Sequence, residues 1–275
     1  MSYANYHTQK LPAPLRYLAD LLRYRHLCWN LVGSDLRSRF RRSKLGILWA
    51  VLQPLGYSLV IAWAWGAIFH DSDYWGFAIY VFAGMLVWEY FTNTVMVSLE
   101  GLMAAVGYLR QSRIPFLVFQ ARVPLTGLVI FCNGLLGLFI LMLVLGRFPM
   151  PGQHLLLLPI YIAILPMFML PLAIIASVVG AQMRDLKHIM TLALQALFFL
   201  SPVMMKHEAM DPGRLAFLRH ANPIVPLLDM LRDTVMYSKM WDPGDVITVS
   251  VWGAILWAVA GVVAMRSGRK IVFAI

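Results

Sequence analysis

Charge is scarce in this chain. Asp, Glu, Lys and Arg make up 13% of its 275 residues, while 60% are hydrophobic. A soluble domain carries about 25% charged residues, so composition alone excludes an ordinary soluble fold. Cysteine is scarcer still: Cys28 sits in an amphipathic stretch and Cys132 in an apolar run, an arrangement that builds neither a disulfide framework nor a thiolate metal site. The histidines are scattered, and His207-Glu208 has no second histidine at the spacing of a zinc peptidase. No Gly-x-x-x-x-Gly-Lys-Ser/Thr loop is present, so ATP hydrolysis through that motif is excluded for this chain. Neither a Gly-x-Ser-x-Gly elbow nor a Gly-x-x-x-Gly helix-pairing motif occurs. The expectation is therefore no catalytic residues, no metal and no cofactor held by this chain. The first 44 residues contain no apolar core of a cleavable leader, so none is expected.

What the chain has is apolar length. The segments Leu45 to Phe69, Phe77 to Leu99, Phe116 to Leu145, Leu155 to Gly180, Ile189 to Met205 and Val246 to Met265 read as membrane-crossing helices. A helix rises ~1.5 Å per residue, so about 20 residues cross a ~30 Å hydrocarbon core. The fifth segment is short and meets Pro202, where a helix kinks or ends. The expected fold is all-α and integral to a membrane, with six transmembrane helices.

The net charge of +10 lies beside these runs and not on a soluble face, which argues for a membrane surface and against nucleic acid. Most of the 23 Lys and Arg fall on one side of the six segments, and the opposite loop His70-Asp-Ser-Asp-Tyr74 is acidic. Basic loops stay in the cytoplasm, so both termini are expected there.

Ahead of the first span, Leu15 to Val32 reads as an amphipathic helix lying on the membrane, with Leu15, Leu18, Leu22 and Trp29 on one face. Residues 1–34 are thus expected to form a cytoplasmic segment and 35–275 a transmembrane domain. On the far side, Lys206 to Asp245 mixes short apolar pieces with Pro212, Pro223, Pro226 and Pro243. That pattern predicts short helices re-entering the outer leaflet, tolerated where protein or a water-filled cavity satisfies the broken backbone.

The densest chemistry is Asp35-Leu-Arg-Ser-Arg-Phe-Arg-Arg-Ser-Lys44, which runs straight into the first span. Arg37, Arg39, Arg41, Arg42 and Lys44 form a cationic collar at the headgroups. Guanidinium forks suit phosphate oxygens, while simple positive-inside anchoring is the competing reading. On a helical period Arg37, Arg41 and Lys44 share a face. Aromatics form the next signal: Trp63, Trp65 and Phe69 in the first span, Trp88, Tyr90 and Phe91 in the second, Phe198 and Phe199 in the fifth. Such residues serve either as an interfacial belt or as a stacking surface for sugar rings along a conduit. Asn93, Glu100, Asn133 and Gln195 are polar positions within or at the ends of spans, facing a helix interface or a cavity.

The run Asp35 to Pro54 resembles the opening signature of ABC-2 type polysaccharide exporter permeases. Phe82-Ala-Gly-Met-Leu-Val-Trp88, Arg184-Asp185, Leu200-Ser-Pro202 and Ala221-Asn-Pro223 follow in the same order. The resemblance covers the chain from about Leu15 onward. It implies export of a lipid-linked glycan of O-antigen, capsule or teichoic acid type across a bacterial inner membrane. It also implies a separate ATPase subunit holding ATP and Mg, and a two-plus-two complex containing a homodimer of this chain. By the same resemblance Leu15 to Val32 packs on the ATPase and Asp35 to Lys44 is a gate helix near the lipid-diphosphate end of the substrate. Glu100 to Pro115 contains the coupling helix, with Leu102, Met103, Ala104, Ala105, Arg110 and Arg113 as contacts. Lys206 to Met240 forms periplasmic gate helices, and the first and fifth spans line the path. The alternative is an intramembrane transferase acting on a lipid-linked sugar. It would draw on Glu208, Asp211, Asp229 or Asp233, whose sequence contexts suit turns, caps and ion pairs better.

Overall fold

The computed structural model describes residues 23–41, 43–69, 73–103, 116–149, 151–183, 185–204 and 221–274. Among these residues every regular element is helical: α1 (Arg25–Phe40), α2 (Trp49–Phe69), α3 (Tyr74–Leu99), α4 (Phe116–Val144), α5 (Leu157–Gln182), α6 (Leu186–Leu200), α7 (Val225–Val235) and α8 (Pro243–Ala274), with short 3-10 turns at Gly46–Leu48 and Gln153–Leu156. Four helical stretches are long and apolar enough to cross a membrane: Gly46–Trp65, Phe119–Val144, Gln153–Gln182 and Pro243–Ala264.

The second and fifth apolar segments fall outside that set for different reasons. α3 has the length, with 26 residues, but Glu89, Thr92, Asn93 and Thr94 dilute its apolar run. Its place in the fold explains this: α3 is the central helix, packed by α2, α4, α5, α6 and α7. A helix sheathed by protein need not present an apolar surface all round. α6 has 15 residues, about 22 Å at ~1.5 Å per residue, and stops at Leu200 just before the extended Ser201 and Pro202.

The core forms around α3. Phe77 to Val87 contribute a run of buried side chains that meet Phe131, Leu135 and Leu138 of α4 and Tyr161, Leu165 and Phe168 of α5. Small residues permit the closest crossings. A Cβ at Gly180 of α5 would collide with the Leu99 carbonyl at the end of α3, so the two helix backbones touch there. α8 packs on α5 and α7 and leaves Ile247, Val251, Ile255 and Val259 exposed, an apolar face suited to lipid.

The break between the basic segment and the first span is built at Ser43-Lys-Leu-Gly46. Gly46 adopts a left-handed φ of 53°, and its N–H donates to Ser43 Oγ at 3.1 Å. Glycine reaches this conformation without the side-chain clash that other residues meet. α1 therefore ends and α2 starts on a new axis.

At the opposite end of the bundle α7 is a short helix held inside protein. Arg232 is 1% exposed. Its Nη1 donates to the Tyr80 hydroxyl at 2.9 Å and to the Pro202 carbonyl at 2.7 Å, and its Nη2 donates to the Val203 carbonyl at 3.1 Å. The guanidinium also lies over the Tyr80 ring, 3.5 Å from its centroid. Asn222 Nδ2 donates to Ser201 Oγ at 2.7 Å. The Leu200-Ser-Pro202 and Ala221-Asn-Pro223 motifs, far apart in sequence, are thus bonded to each other, and Arg232 ties both to α3. Arg232 is an interior anchor, not a surface charge.

Candidate functional site

α1 carries the basic segment. It runs unbroken through residues 34 and 35, so the amphipathic segment and the first half of the collar are one helix. The face packed on α4 is Cys28 and Val32, followed one turn on by Asp35, whose Oδ1 accepts from Arg122 Nη1 at 3.2 Å. Burial pushes the Asp35 carboxyl above its ordinary value, and the Arg122 charge pulls it back in part. Trp29, expected on the apolar face, is 58% exposed and points away from the bundle. Leu15, Leu18 and Leu22 of the expected apolar face lie outside the described residues, and the buried face of α1 is that of Cys28 and Val32.

The collar is less uniform than its sequence. Arg37 and Arg41 are exposed, and the Arg37 guanidinium lies back over Gly33. Arg39 is exposed along its stem, yet its Nη1 reaches inward to donate to Asn93 Oδ1 of α3 at 2.8 Å. Arg41 caps the helix and Lys44 lies past it in the bend before Gly46. The expectation that Arg37, Arg41 and Lys44 share one helical face is therefore corrected: the helix ends too soon for Lys44 to join it. Arg42 lies outside the described residues.

A groove opens between α2 and α6 with α3 as its floor. Its volume is about 430 Å³, and Tyr57, Ile61, Met85, Trp88, Thr92, Met96, Thr191, Leu194, Gln195 and Phe198 line it. The helices that wall it are the first and fifth apolar segments. Of the expected aromatics Trp88 and Phe198 meet in this groove, with ring centroids 5.3 Å apart. Phe91 stacks behind Trp88 in the core at 5.8 Å. Tyr90 turns the other way, donating to the Pro124 carbonyl of α4 at 2.8 Å, and belongs to the core. Trp65 packs half-buried against the same core. Trp63 is 70% exposed and Phe199 69% exposed, and neither lines the groove. The side chain of Phe69 lies outside the described residues.

At the basic end of α3, Leu102 is buried and Met103 is exposed, while Ala104, Ala105, Arg110 and Arg113 lie outside the described residues. Lys187 Nζ donates to Glu100 Oε1 at 2.6 Å. This ties the connection after α3 to the first turn of α6. As an exposed pair it positions more than it stabilises.

Two candidate functional side chains and one buried contact escape sequence reasoning. Tyr57 stands among aliphatic neighbours with no motif to mark it. Glu89 was visible as a lone carboxylate in an apolar run but was passed over between two aromatics. The Arg232–Tyr80 contact joins positions 152 residues apart, a distance no local pattern reports.

The whole set defines a membrane transport subunit by its class: apolar helices, a basic helix at one face, and a side groove floored by the central helix. The chain matches the ABC-2 type transporter family model over residues 26–236 and belongs to that family. It is 28% identical over 256 residues to the O-antigen export system permease protein RfbA of Myxococcus xanthus, covering 92% of this chain and 96% of that protein. A protein of the same name from Klebsiella pneumoniae is 22% identical, with 82% and 84% covered. The polysialic acid transport protein KpsM of Escherichia coli is 23% identical, with 74% and 78% covered.

Proposed function

We propose that this chain is the transmembrane subunit of an exporter that carries a lipid-linked polysaccharide of O-antigen or capsule type across a bacterial inner membrane. The observation that carries the reading is the groove between α2 and α6. Its apolar and aromatic wall, with Tyr57, Thr92, Thr191 and Gln195 interspersed, suits sugar rings, which stack on aromatic faces and bond through hydroxyls. The names of the curated relatives point to the same cargo.

The groove is open on its side, and the helices that wall it expose Val60, Trp63, Leu192 and Phe199. A second copy of this chain closes it into a conduit and covers those residues. α3 and α6 supply the second and fifth spans in this reading, which completes six, and α7 re-enters from the outer leaflet. Basic residues at the α1 end support a cytoplasmic location for that face and for both termini. Arg37, Arg39, Arg41, Arg42 and Lys44 then meet the phosphate end of the lipid carrier, and the loop after α3, with α1, meets the ATPase.

Energy comes from that separate subunit, which binds ATP and Mg. Purified alone, this chain should show no ATP hydrolysis. Co-expressed with a phosphate-loop ATPase encoded beside it, it should co-purify as a stable complex that hydrolyses ATP. Robust hydrolysis by the isolated chain, or no complex with any such subunit, contradicts the reading.

A further inference from the structure

Glu89 is a carboxylate at mid-height of the central helix, a costly position unless it has a task. It is half-buried, and its carboxylate takes no hydrogen bond from any described residue. It borders a void of about 30 Å³ shared with Arg39, Asn93, Tyr90 and Gly127. Arg39 is the cation among the residues that line it. The void is large enough for a water to bridge the two. This corner lies across α2 from the aromatic groove. Arg39 is thus held in the bundle by a hydrogen bond to Asn93 and the field of Glu89, while its stem remains exposed on α1 beside Arg37 and Arg41.

We propose that Glu89 and Asn93 form an internal seat for Arg39 that competes with the phosphate of the substrate's lipid end. This rests on the reading of the collar as a phosphate site. With the site empty, Arg39 is docked on α3. A lipid phosphate at the headgroup level offers the same guanidinium a stronger, bidentate partner. Loading therefore lifts Arg39 off its seat and loosens α1 from α3. The seat sets a threshold: only a ligand able to outbid a carboxylate and an amide engages the whole collar. Glu89 is a positioning residue here and touches no substrate.

The test uses the complex of this chain with its ATPase subunit in phosphatidylcholine nanodiscs and measures anisotropy of a fluorescent polyprenyl phosphate. Glu89→Gln should bind the probe about tenfold more tightly, the equilibrium counterpart of removing the attraction of Glu89 for Arg39 across the void. Asn93→Ala should shift affinity the same way, which keeps the claim testable if the first variant folds poorly. Arg39→Gln should weaken binding, and adding Glu89→Gln to it should change nothing further. Unchanged or weaker binding in both seat variants overturns the proposal, as does a Glu89→Gln effect that survives without Arg39. If Arg37→Gln with Arg41→Gln abolishes binding while the seat variants do nothing, the collar reading stands and the seat falls. If the wild-type complex does not bind the probe at all, both fall. Inorganic phosphate should not displace the lipid probe; efficient displacement identifies a free-anion site and contradicts the lipid-end claim.

Discussion

Arg232 shows how one side chain can fix a fold's weakest part. The turn at Ser201 and Pro202 leaves carbonyls that no helix bonds, and α7 is too short to persist alone. A buried guanidinium with donors in a planar fork satisfies the Pro202 and Val203 carbonyls and the Tyr80 hydroxyl together. Arg232→Met fills the same volume but strands those acceptors. It should cost about 3–5 kcal/mol, the scale of breaking a buried charged network. Tyr80→Phe removes one acceptor and should cost about 1 kcal/mol. Thermal unfolding in detergent reads both, and a wild-type midpoint for Arg232→Met contradicts the anchor. The arginine was legible in the sequence as a residue, but its role was not: a lone cation in an outer loop looks like surface charge until the long-range partner is known.

At the scale of elements, the family resemblance assigns an interface role up to Val32 and a gate role from Asp35, a change of role near residue 34. The backbone ignores that change and continues to Phe40. What docks it is the stripe of Cys28, Val32 and Asp35 on α4. Burial raises the Asp35 carboxyl above its ordinary value of 3.8, so the docked state holds the proton more tightly than the undocked one. The sign follows: this contribution to docking is full below 3.8 and is lost as pH rises through the raised docked value. Hydrogen exchange of α1 amides should therefore slow as pH falls through the carboxylate range, after correction for intrinsic rates. Asp35→Asn should keep α1 protected throughout and flatten the dependence. Protection that falls on acidification contradicts the argument and makes the Arg122 ion pair the stronger influence. Of the long apolar helices, α4 was legible almost to the residue, beginning at Phe116 and ending one position before Leu145, whereas α8 runs on to Ala274, well past the expected Met265. α3 was legible as a helix but not as the centre of the bundle, since burial inside protein and burial in lipid select similar residues.

At the scale of the molecule, the groove between the first and fifth apolar segments joins the fold to a task. Sequence reasoning named eight aromatics for a path, and the structure brings Trp88 and Phe198 together while turning Tyr90 and Phe91 into the core and Trp63 and Phe199 outward. An aromatic count cannot separate these fates, because facing is set by helix rotation within the bundle. In the proposed homodimer a second copy of the chain would cover the outward pair. The most direct measurement of the central claim follows the cargo in cells lacking this chain's gene. Lipid-linked glycan should accumulate on the cytoplasmic side and vanish from the surface. Wild-type chain should restore export, while Trp88→Ala, which strips the groove floor, should restore membrane insertion and ATPase pairing with a loss of surface glycan between about twofold and about tenfold, the loss expected if one aromatic contact supplies about 0.5–1.5 kcal/mol. Surface glycan that persists without the chain, or full export through Trp88→Ala, would contradict the account.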